Sequence, residues 1–463
     1  MIRAIVFVLT ASLVASGASW LVDLPFEVAV FGRGFELRTS LAVAVAAILL
    51  LALLLLLLFE LYRALATAPR RFARYRQQRR LARGYRSLGE GLLAAAAGNA
   101  EEARALAREA RRTLGEAPTV LLLEAQAAQL AGDERAAAQG FERLLAFPES
   151  ELVGLKGLLS QAMRSGEHER ALELARRAYR RAPEASWAAS ALFELLTGAR
   201  RWTEALAVVD RLAPLGLATV DEGARYRGIL HHLRALDLAA ETRWMDALKE
   251  ERKALRAAPG FVPAAITAAR IAHRLGRERE ARRVLEEAWA VAPHPELART
   301  YADLVPQERP ADRLKRFERL RARNPEHLET RLALAELALL AGRLDAARTL
   351  LQAAAQGDAT ARAYRLMAEL ERAAGASASV VQSWLAKAGE APPDPAWVCE
   401  DTGEILPEWR PFSTSGRFGA VLWRVPPKVS ALALAPRPPF LLVDSRPEAS
   451  EASARPEAAE AAA

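Results

Sequence analysis

The stretch SGEHERALELARRAYRRAPEA at residues 165–185 decides the fold, because LGREREARRVLEEAWAVAPHP at residues 275–295 repeats its pattern. In both stretches a glycine precedes an alanine by five residues, and a proline follows that alanine by twelve. The glycine allows a tight turn, the small alanine lets two helices approach closely, and the proline stops the second helix. The pattern therefore predicts two antiparallel helices joined by a tight turn.

The aligned small residue recurs at a fixed spacing through the middle of the chain, from about residue 85 to residue 390. A period of about 34 residues indicates a helix-turn-helix solenoid, and this one resembles the tetratricopeptide repeat. We expect about nine helix pairs, whose stacking builds a continuous core and a concave surface. The spacing joins Ala103, Ala137, Ala171 and Ala205 in turn and Ala247 to Ala281, and Ala347 and Val380 are closer together by one residue.

Two units depart from the pattern. The step from Ala205 to Ala247 is longer than the ordinary spacing, which predicts an inserted loop near residues 215–223. The unit around residues 317–325 has Arg313 at the position of the usual alanine.

Two apolar segments near the beginning of the chain, residues 4–22 and 40–59, contain no charged residue. Each has the roughly 20 residues that a helix needs to cross a membrane, so the sequence predicts a two-helix hairpin. An alternative for the first segment is a cleaved secretory signal, with Ser16, Gly17 and Ala18 as the small-residue site. The second segment would still anchor such a protein.

The charges beside the two segments predict their orientation. Residues 23–39 carry a net charge of −1, whereas residues 63–86 hold nine arginines and no acidic residue. The positive-inside rule therefore places both termini in the cytoplasm, and the arginines next to anionic lipid headgroups. The predicted membrane-surface residues are Arg70, Arg71, Arg74, Arg76, Arg79 and Arg80.

The composition favours an all-α protein. Ala, Leu, Arg and Glu dominate, and these are strong helix formers. The net charge of +8 is almost entirely the local arginine patch, so no nucleic-acid partner is predicted. Cys399 is the only cysteine, which excludes an intramolecular disulfide.

No motif of an enzyme or a cofactor site is present, so we expect neither catalysis nor a cofactor. None of the six histidines forms HExxH or a haem attachment motif, and the glycines at 84, 89 and 91 follow no predicted strand. His231 and His232 are adjacent, so on a helix they point about 100° apart and are poorly placed to share a metal. Ordinary solvent-facing positions are the expectation for both.

Residues 392–427 differ from the repeats and predict a small β-rich or irregular cap. The layout around Trp397, Cys399 and Trp409 looks like a zinc ribbon or rubredoxin module, but Thr402, Phe412 and Ser415 replace the other expected cysteines. Zinc needs four good ligands in a structural site, so no metal is predicted. Residues 428–463 are rich in Pro, Ala, Ser and Glu and predict a disordered tail.

These features give five predicted segments: a membrane hairpin at 1–62, a basic helix at 63–90, repeats at 91–391, the cap at 392–427 and the tail at 428–463. Together with Gly84-Tyr85, Gly98-Asn99 and Pro395-Ala396-Trp397, they resemble the HemY-type inner-membrane proteins of proteobacteria over nearly the whole length. The resemblance implies an inner-membrane scaffold that organises or regulates the terminal enzymes of protohaem synthesis, or handles their porphyrin intermediates. It brings no catalytic residue with it.

Two other functions remain open. The lipopolysaccharide assembly protein also joins such repeats to a rubredoxin-like module and regulates proteolysis, but it has one span and four intact cysteines. A direct haem or porphyrin carrier would use His231, His232 or His273 as the axial ligand.

In the tetratricopeptide family the first helix of each pair lines the concave face. Residues on this face would bind protein partners, although any single charged residue on a helix is most often only solvated. By position relative to the turn glycine, the predicted partner-binding residues are Gln126, Lys156, Arg164, Arg270, His273 and Glu336.

Overall fold

The computed structural model describes residues 12, 15–17, 19–20, 27–32, 35–357 and 359–427. Its architecture is mostly helical, as predicted, with helix pairs followed by a small three-stranded sheet. Contacts divide the chain into two compact units, Met1–Asp133 and Glu134–Ala463. Most of the first predicted span and all of the predicted tail lie outside the described residues.

The first unit contains a β-hairpin, one long helix and one helix pair. Strand β1 (Glu27–Gly32) pairs antiparallel with β2 (Phe35–Ser40), so the predicted loop between the two spans contains regular structure. Helix α1 (Leu41–Ala96) has 56 residues, and α2 (Ala100–Leu114) and α3 (Pro118–Leu130) follow it. Strands form in the predicted loop because Val and Phe favour extended backbone.

Helix α1 joins the second predicted span to the repeats without a break. Its stretch Val43–Arg63 is long and apolar enough to cross a membrane and is the one such helix in the described part of the chain. Close packing explains the glycines at the other end of α1, since a Cβ on Gly84 would lie 2.2 Å from Thr113 Oγ1 and one on Gly91 would lie 2.5 Å from Leu123 Cδ2. These glycines therefore let α1 pack directly on the first helix pair.

The second unit contains the remaining helices, each short enough to be one arm of a helix pair. Consecutive helices pack against each other along the chain, as expected of a solenoid. The helices are α4 (Glu134–Leu144), α5 (Glu151–Arg164), α6 (His168–Arg181), α7 (Ser186–Gly198), α8 (Trp202–Leu212), α9 (Val220–Ala240), α10 (Trp244–Ala257), α11 (Val262–Arg274), α12 (Glu278–Val291), α13 (Pro295–Asp303), α14 (Pro310–Arg323), α15 (Leu328–Leu340), α16 (Leu344–Ala355), α17 (Ala361–Ala373) and α18 (Ala378–Glu390).

The turn between the two helices of a pair adopts a left-handed backbone. The predicted turn glycines, at 98, 132, 166, 276, 342 and 375, all have φ between 68° and 81°. Three units lack the glycine. In the unit of Arg313 the equivalent residue is Glu308, whose φ is not positive, and in the other two units Arg200 and Thr242 take the place of the glycine with φ of 58° and 61°. They are the two non-glycine residues with positive φ among those described, so the turn geometry is kept even where the sequence opposes it.

The aligned alanines lie in the buried core. Ala103, Ala171 and Ala281 are completely buried, as the pattern predicts. The alignment of Val380 is wrong, because Val380 is 39% exposed and Val381 is buried instead. One additional residue follows the last turn glycine, and counting to Val381 restores the ordinary spacing from Ala347.

The two irregular units keep the helix-pair architecture. The predicted inserted loop is only partly correct: Ala213–Thr219 is a connection, but the added length lies mainly in α9, which has 21 residues where α7 has 13. In the other unit Arg313 is half-buried, and its guanidinium donates to Pro306 O at 3.0 Å. A polar side chain occupies the alanine position with its terminal nitrogen bonded to a backbone carbonyl, whereas its buried Nε has no hydrogen-bond partner among the described residues.

The described part of the chain ends in a small sheet. Strand β3 (Ala396–Cys399) lies between β4 (Ile405–Leu406) and β5 (Val421–Arg424), and both pairings are antiparallel. The sheet and its loops, residues 392–427, are called the C-terminal module below. Its strands agree with the predicted β-rich cap.

Candidate functional site: the inner helices and the C-terminal module

The predicted partner-binding residues all lie on the first helix of a pair. Gln126 lies on α3, Lys156 and Arg164 on α5, and Arg270 and His273 on α11. The four residues on α5 and α11 are exposed, whereas Gln126 is half-buried. Their role in binding stays a prediction.

Several of these side chains are held by neighbours. Lys156 Nζ lies 5.8 Å from the centre of the Trp187 ring, and Arg164 lies 3.5 Å from Glu134. His273 Nδ1 lies 2.7 Å from Glu278. These contacts leave the groups at the surface, where exposed ion pairs contribute at most about 1 kcal/mol.

Glu336, the last of the predicted set, belongs to a buried ion network. Its carboxylate accepts a hydrogen bond of 2.7 Å from Arg362, which also donates to Glu329 at 2.8 Å. Burial raises the pKa of Glu329 to about 7, although Arg362 acts in the opposite direction. The backbone N–H of Arg362 donates to Asp394 Oδ1 at 3.0 Å, which fixes the chain as it enters the C-terminal module.

The C-terminal module packs on the first helices of the middle pairs, beginning at α7 and α9. Phe418 makes an edge contact with Phe193 at 5.6 Å between ring centres, and its ring centre lies 5.8 Å from that of Tyr226. Gly419 has φ of 69°, and a Cβ there would lie 2.6 Å from Tyr226. Only glycine therefore lets the module approach α9 this closely.

A second contact lies one turn and a half further along α9. The rings of His232, Phe261 and Trp409 meet edge to face, with centres 5.1 to 5.5 Å apart. Trp409 comes from the module, whereas Phe261 precedes α11. Such aromatic pairs add about 0.5–1.5 kcal/mol each beyond their burial.

The third contact is made with α13. The ring of His294 lies 4.0 Å from that of Trp423 and 5.2 Å from that of Trp397, and Trp397 Nε1 donates to Glu296 at 3.0 Å. His294 Nδ1 accepts the Glu296 backbone N–H at 3.0 Å, so it caps the helix. Burial, with the charge of Arg299 adding to it, lowers the pKa of His294 to about 3, and this histidine is neutral at pH 7.

Most of the buried hydrophobic residues of the module continue the core of the repeats. Trp397, Cys399, Leu406 and Val421 belong to one buried cluster with residues of α9 to α15, and Phe418 belongs to the cluster of α5 to α9. The residues of α7, α9 and α13 that face the module are thus covered by the chain itself. Sequence reasoning missed these contacts, and the signals that could have revealed them are the aromatic residues of the module and the long step that adds Tyr226.

Hydroxyl and carboxylate groups tie the module together at the positions where zinc ligands would be expected. Ser413 donates to Asp401 at 2.6 Å and Ser415 donates to the same oxygen, while Cys399 Sγ lies 3.3 Å from Thr414 Oγ1. Phe412 has no ligand atom, and it pairs through its backbone with Phe418. In the described part of the chain no group of three His, Cys, Asp or Glu residues is placed to hold a metal ion.

The prediction that His231 and His232 face solvent is wrong. His231 is half-buried with its Nδ1 2.8 Å from Glu250, and His232 is 3% exposed with its Nδ1 2.8 Å from Glu251. Burial lowers the pKa of His232 to about 4 and raises the pKa of Glu251 well above its usual value. His232 and Glu251 therefore form a neutral hydrogen bond in the core, because α10 and the C-terminal module both pack against this part of α9.

The predicted membrane-surface arginines all lie within α1, beyond the apolar stretch. Arg76, Arg79 and Arg80 are exposed, and the guanidinium of Arg79 lies 4.6 Å from the centre of the Tyr75 ring. Arg80 donates to Arg112 O at 2.9 Å. The helix thus presents these three cations beyond its apolar stretch Val43–Arg63.

Comparisons with known proteins agree with this architecture. The family described as HemY protein N-terminus matches residues 27–132, and a tetratricopeptide repeat family matches residues 307–370. The probable magnetosome protein Mms48 of Magnetospirillum gryphiswaldense is 30% identical over 425 residues, which cover 88% of this chain and 90% of that protein.

Two solved structures illustrate how far the similarity of shape extends. Naa15/Naa10 bound to HypK-THB aligns with 13% identity and a TM-score of 0.37 over 71% of this chain and 55% of that one. The MamA protein aligns with 17% identity and a TM-score of 0.25 over 41% of this chain and 96% of that one.

Proposed function

Because the chain belongs to the HemY-type family of tetratricopeptide-repeat proteins, we propose that it is an inner-membrane scaffold that organises or regulates the terminal enzymes of protohaem synthesis. The family is membrane-associated, and its repeats serve protein–protein interaction. Repeats of this kind bind by shape and exposed side chains, and no catalytic group is needed for that role. We therefore propose that the chain is not an enzyme.

The observation that carries the proposal is the unbroken helix α1. After the membrane-crossing stretch Val43–Arg63 the same helix continues to Ala96, which is about 50 Å at 1.5 Å per residue. Its last turns pack on α2 through glycine positions, so the first helix pair is joined rigidly to the anchor. A rigid tether supports the recruitment of partners to the membrane surface.

We propose the predicted topology, with two spans and both termini in the cytoplasm. The arginines from Arg70 to Arg80 would lie at the anionic inner leaflet, where each contributes about 1 kcal/mol. Reporter fusions after residue 30 and residue 427 test the topology: the first should report the periplasm and the second the cytoplasm. A periplasmic report at residue 427 would reject it.

Partner binding by the exposed first-helix residues can be tested by photo-crosslinking in cells. A crosslinking amino acid at Lys156 or Arg270 should capture protein partners, whereas Phe193 should capture only the chain's own C-terminal module. Arg283, exposed on the second helix α12, is the matched control. Recovery of ferrochelatase or a neighbouring tetrapyrrole enzyme at the first two positions supports the proposal, and equal capture at Arg283 rejects the predicted face.

The same experiment separates the alternatives. The similarity to Mms48 over nearly the whole chain favours, as a second candidate, a scaffold for a different membrane-bound assembly, which would yield partners outside haem synthesis. A membrane protease among the partners would support the regulatory adaptor. A porphyrin carrier would show a Soret shift when the full chain is titrated with haem, although His231, His232 and His273 each already hold a carboxylate through Nδ1.

A further inference from the structure

A cavity of about 430 Å³ opens beside the last turns of α9 and the exposed face of α10. It lies away from the helix positions that the C-terminal module covers, and only one of its lining side chains, Leu238, is apolar. Two carboxylates line it, whereas its cationic residues are Arg234, Arg243, Lys249, Arg252, Lys253 and Arg256. The lining therefore has a formal charge of about +4 before neighbours outside the cavity are counted.

The cations of α10 are placed where they repel one another. Lys249 precedes Lys253 by four residues, and Arg252 precedes Arg256 by four, so like charges are neighbours on one helix surface. Such pairs destabilise a helix. The helix dipole favours a cation in the last turn, which accounts for Arg256 but not for Lys249 or Lys253.

The floor of the cavity is a preorganised carboxylate. Glu250 is 5% exposed, accepts a hydrogen bond of 2.7 Å from Lys253, and lies 2.8 Å from His231 Nδ1 and 3.8 Å from Arg234. These contacts hold two cations at fixed positions around the opening. Preorganised charges bind a ligand more strongly because less side-chain freedom is lost on binding.

The rim is only partly neutralised. Asp246 accepts hydrogen bonds of 3.1 Å from both Arg243 and Lys249, Glu241 accepts a longer one from Arg243, and Arg252 donates to Glu280 outside the cavity. Arg256 has no ion-pair partner among the residues that the structure describes. The cavity thus retains positive charge that an anion from outside the chain can satisfy.

We propose that this cavity binds a small anion with more than one negative charge, carried on phosphate groups. Arg and Lys donors converging on a concave site are the groups that bind phosphate in proteins. The volume is large enough for a phosphate with substituents, and it falls in the range of small-molecule sites. A free phosphate compound and a phospholipid headgroup present the same chemistry.

Isothermal titration of the full chain in nanodiscs of neutral lipid tests the proposal. Inorganic pyrophosphate represents the free anion, and glycerol 3-phosphate, a phosphomonoester with more than one negative charge, represents the headgroup. The double variant Lys249→Ala/Arg256→Ala should weaken binding at least about tenfold, because each lost charge-assisted hydrogen bond contributes to affinity. The double variant Arg279→Ala/Arg283→Ala removes the same charge from the exposed face of α12 and is the matched control.

Saturable, salt-sensitive binding of either probe that is lost in the first variant and kept in the control supports the proposal. Which probe binds more tightly identifies the source of the anion. No binding of either probe overturns the proposal, and so does equal weakening in both variants. Circular dichroism of both variants verifies that their helices are intact, since all four residues are exposed.

Discussion

Replacing Thr242 by glycine is expected to stabilise the protein, although it removes a side chain. Thr242 occupies the left-handed turn between α9 and α10, with φ of 61°, where six other units have glycine. A β-branched residue is strongly disfavoured there because its side chain meets the backbone. The Thr242 side chain is exposed, and the hydrogen bonds at this residue, to Ala239 O and from Trp244 N, use only the backbone.

The magnitude follows from two opposing terms. A left-handed conformation costs an L-residue about 1–2 kcal/mol, and glycine avoids this cost. Glycine loses more conformational freedom on folding, which costs roughly 0.5–1 kcal/mol. The substitution Thr242→Gly should therefore raise the free energy of unfolding by about 0.5–1 kcal/mol. For a unit of this size that corresponds to about 2 °C in Tm.

Thermal unfolding of the full chain, followed by far-ultraviolet circular dichroism, measures the change. Glu241→Gly is the matched control, because Glu241 precedes Thr242 in the same turn but has φ of −78°; it should lower Tm. The reverse substitution Gly276→Thr should destabilise by about 1–2 kcal/mol from backbone strain alone, since nothing lies within 4 Å of a Cβ there. If Thr242→Gly lowered Tm and Gly276→Thr left it unchanged, the reasoning would be refuted.

Two further substitutions test the module and the buried pair. Gly419→Ala should destabilise by about 1–3 kcal/mol by pushing the module from Tyr226, as thermal unfolding would show, whereas Gly416→Ala, with positive φ but open space around it, should cost less. Glu251 has a raised pKa, so its contribution to stability is present below about pH 4.5 and is lost as the pH rises. Glu251→Gln removes this loss, so its Tm relative to the wild type should be higher at pH 8 than at pH 5. Equal losses of stability in Gly419→Ala and Gly416→Ala would contradict the contact with Tyr226. A difference in Tm between Glu251→Gln and the wild type that does not change with pH would contradict the raised pKa of Glu251.

His232 also makes the stability of the protein depend on pH in the range of the Glu251→Gln test. Its lowered pKa, about 4, gives stability that increases between pH 4 and pH 6.5, because the unfolded chain binds the proton there and the folded chain does not. In the wild type this gain opposes the loss from Glu251. In Glu251→Gln the loss from Glu251 is absent, so between pH 4.5 and pH 6.5 the stability of the variant should rise more steeply than that of the wild type.

The repeat pattern could be predicted because its chemistry is local. A glycine, a small residue and a proline at fixed spacing act within one helix pair, and Ala171 and Ala281 are buried as that spacing requires. Val380 was misaligned because a single residue was added after the turn, and periodicity alone cannot separate Val380 from Val381. Arg200 and Thr242 show where local preference fails. Both residue types disfavour the left-handed backbone, and the packing of the neighbouring helices imposes it on them.

The burial of His231 and His232 could not be predicted, because it depends on partners distant in the sequence. Two adjacent residues on an isolated helix cannot both face a core, but α9 is covered from two sides. Glu250 and Glu251 of α10 lie against His231 and His232 respectively, and Trp409 reaches His232 from the C-terminal module, several helix pairs further along the chain. No local spacing records such a contact.

The long step from Ala205 to Ala247 and the C-terminal module are best understood together. Helices α7 and α9 end at the same position relative to their turns, so the eight added residues lie at the beginning of α9, as two turns and about 12 Å of helix. Tyr226 is in this addition, and it contacts both Phe418 and Gly419. The added turns therefore supply the surface on which the module packs, and a regular repeat would leave Phe418 without one side of its pocket. The break in the period therefore coincides with the surface on which the module packs, whereas Lys156 and Arg164, on α5 before the covered helices, stay exposed.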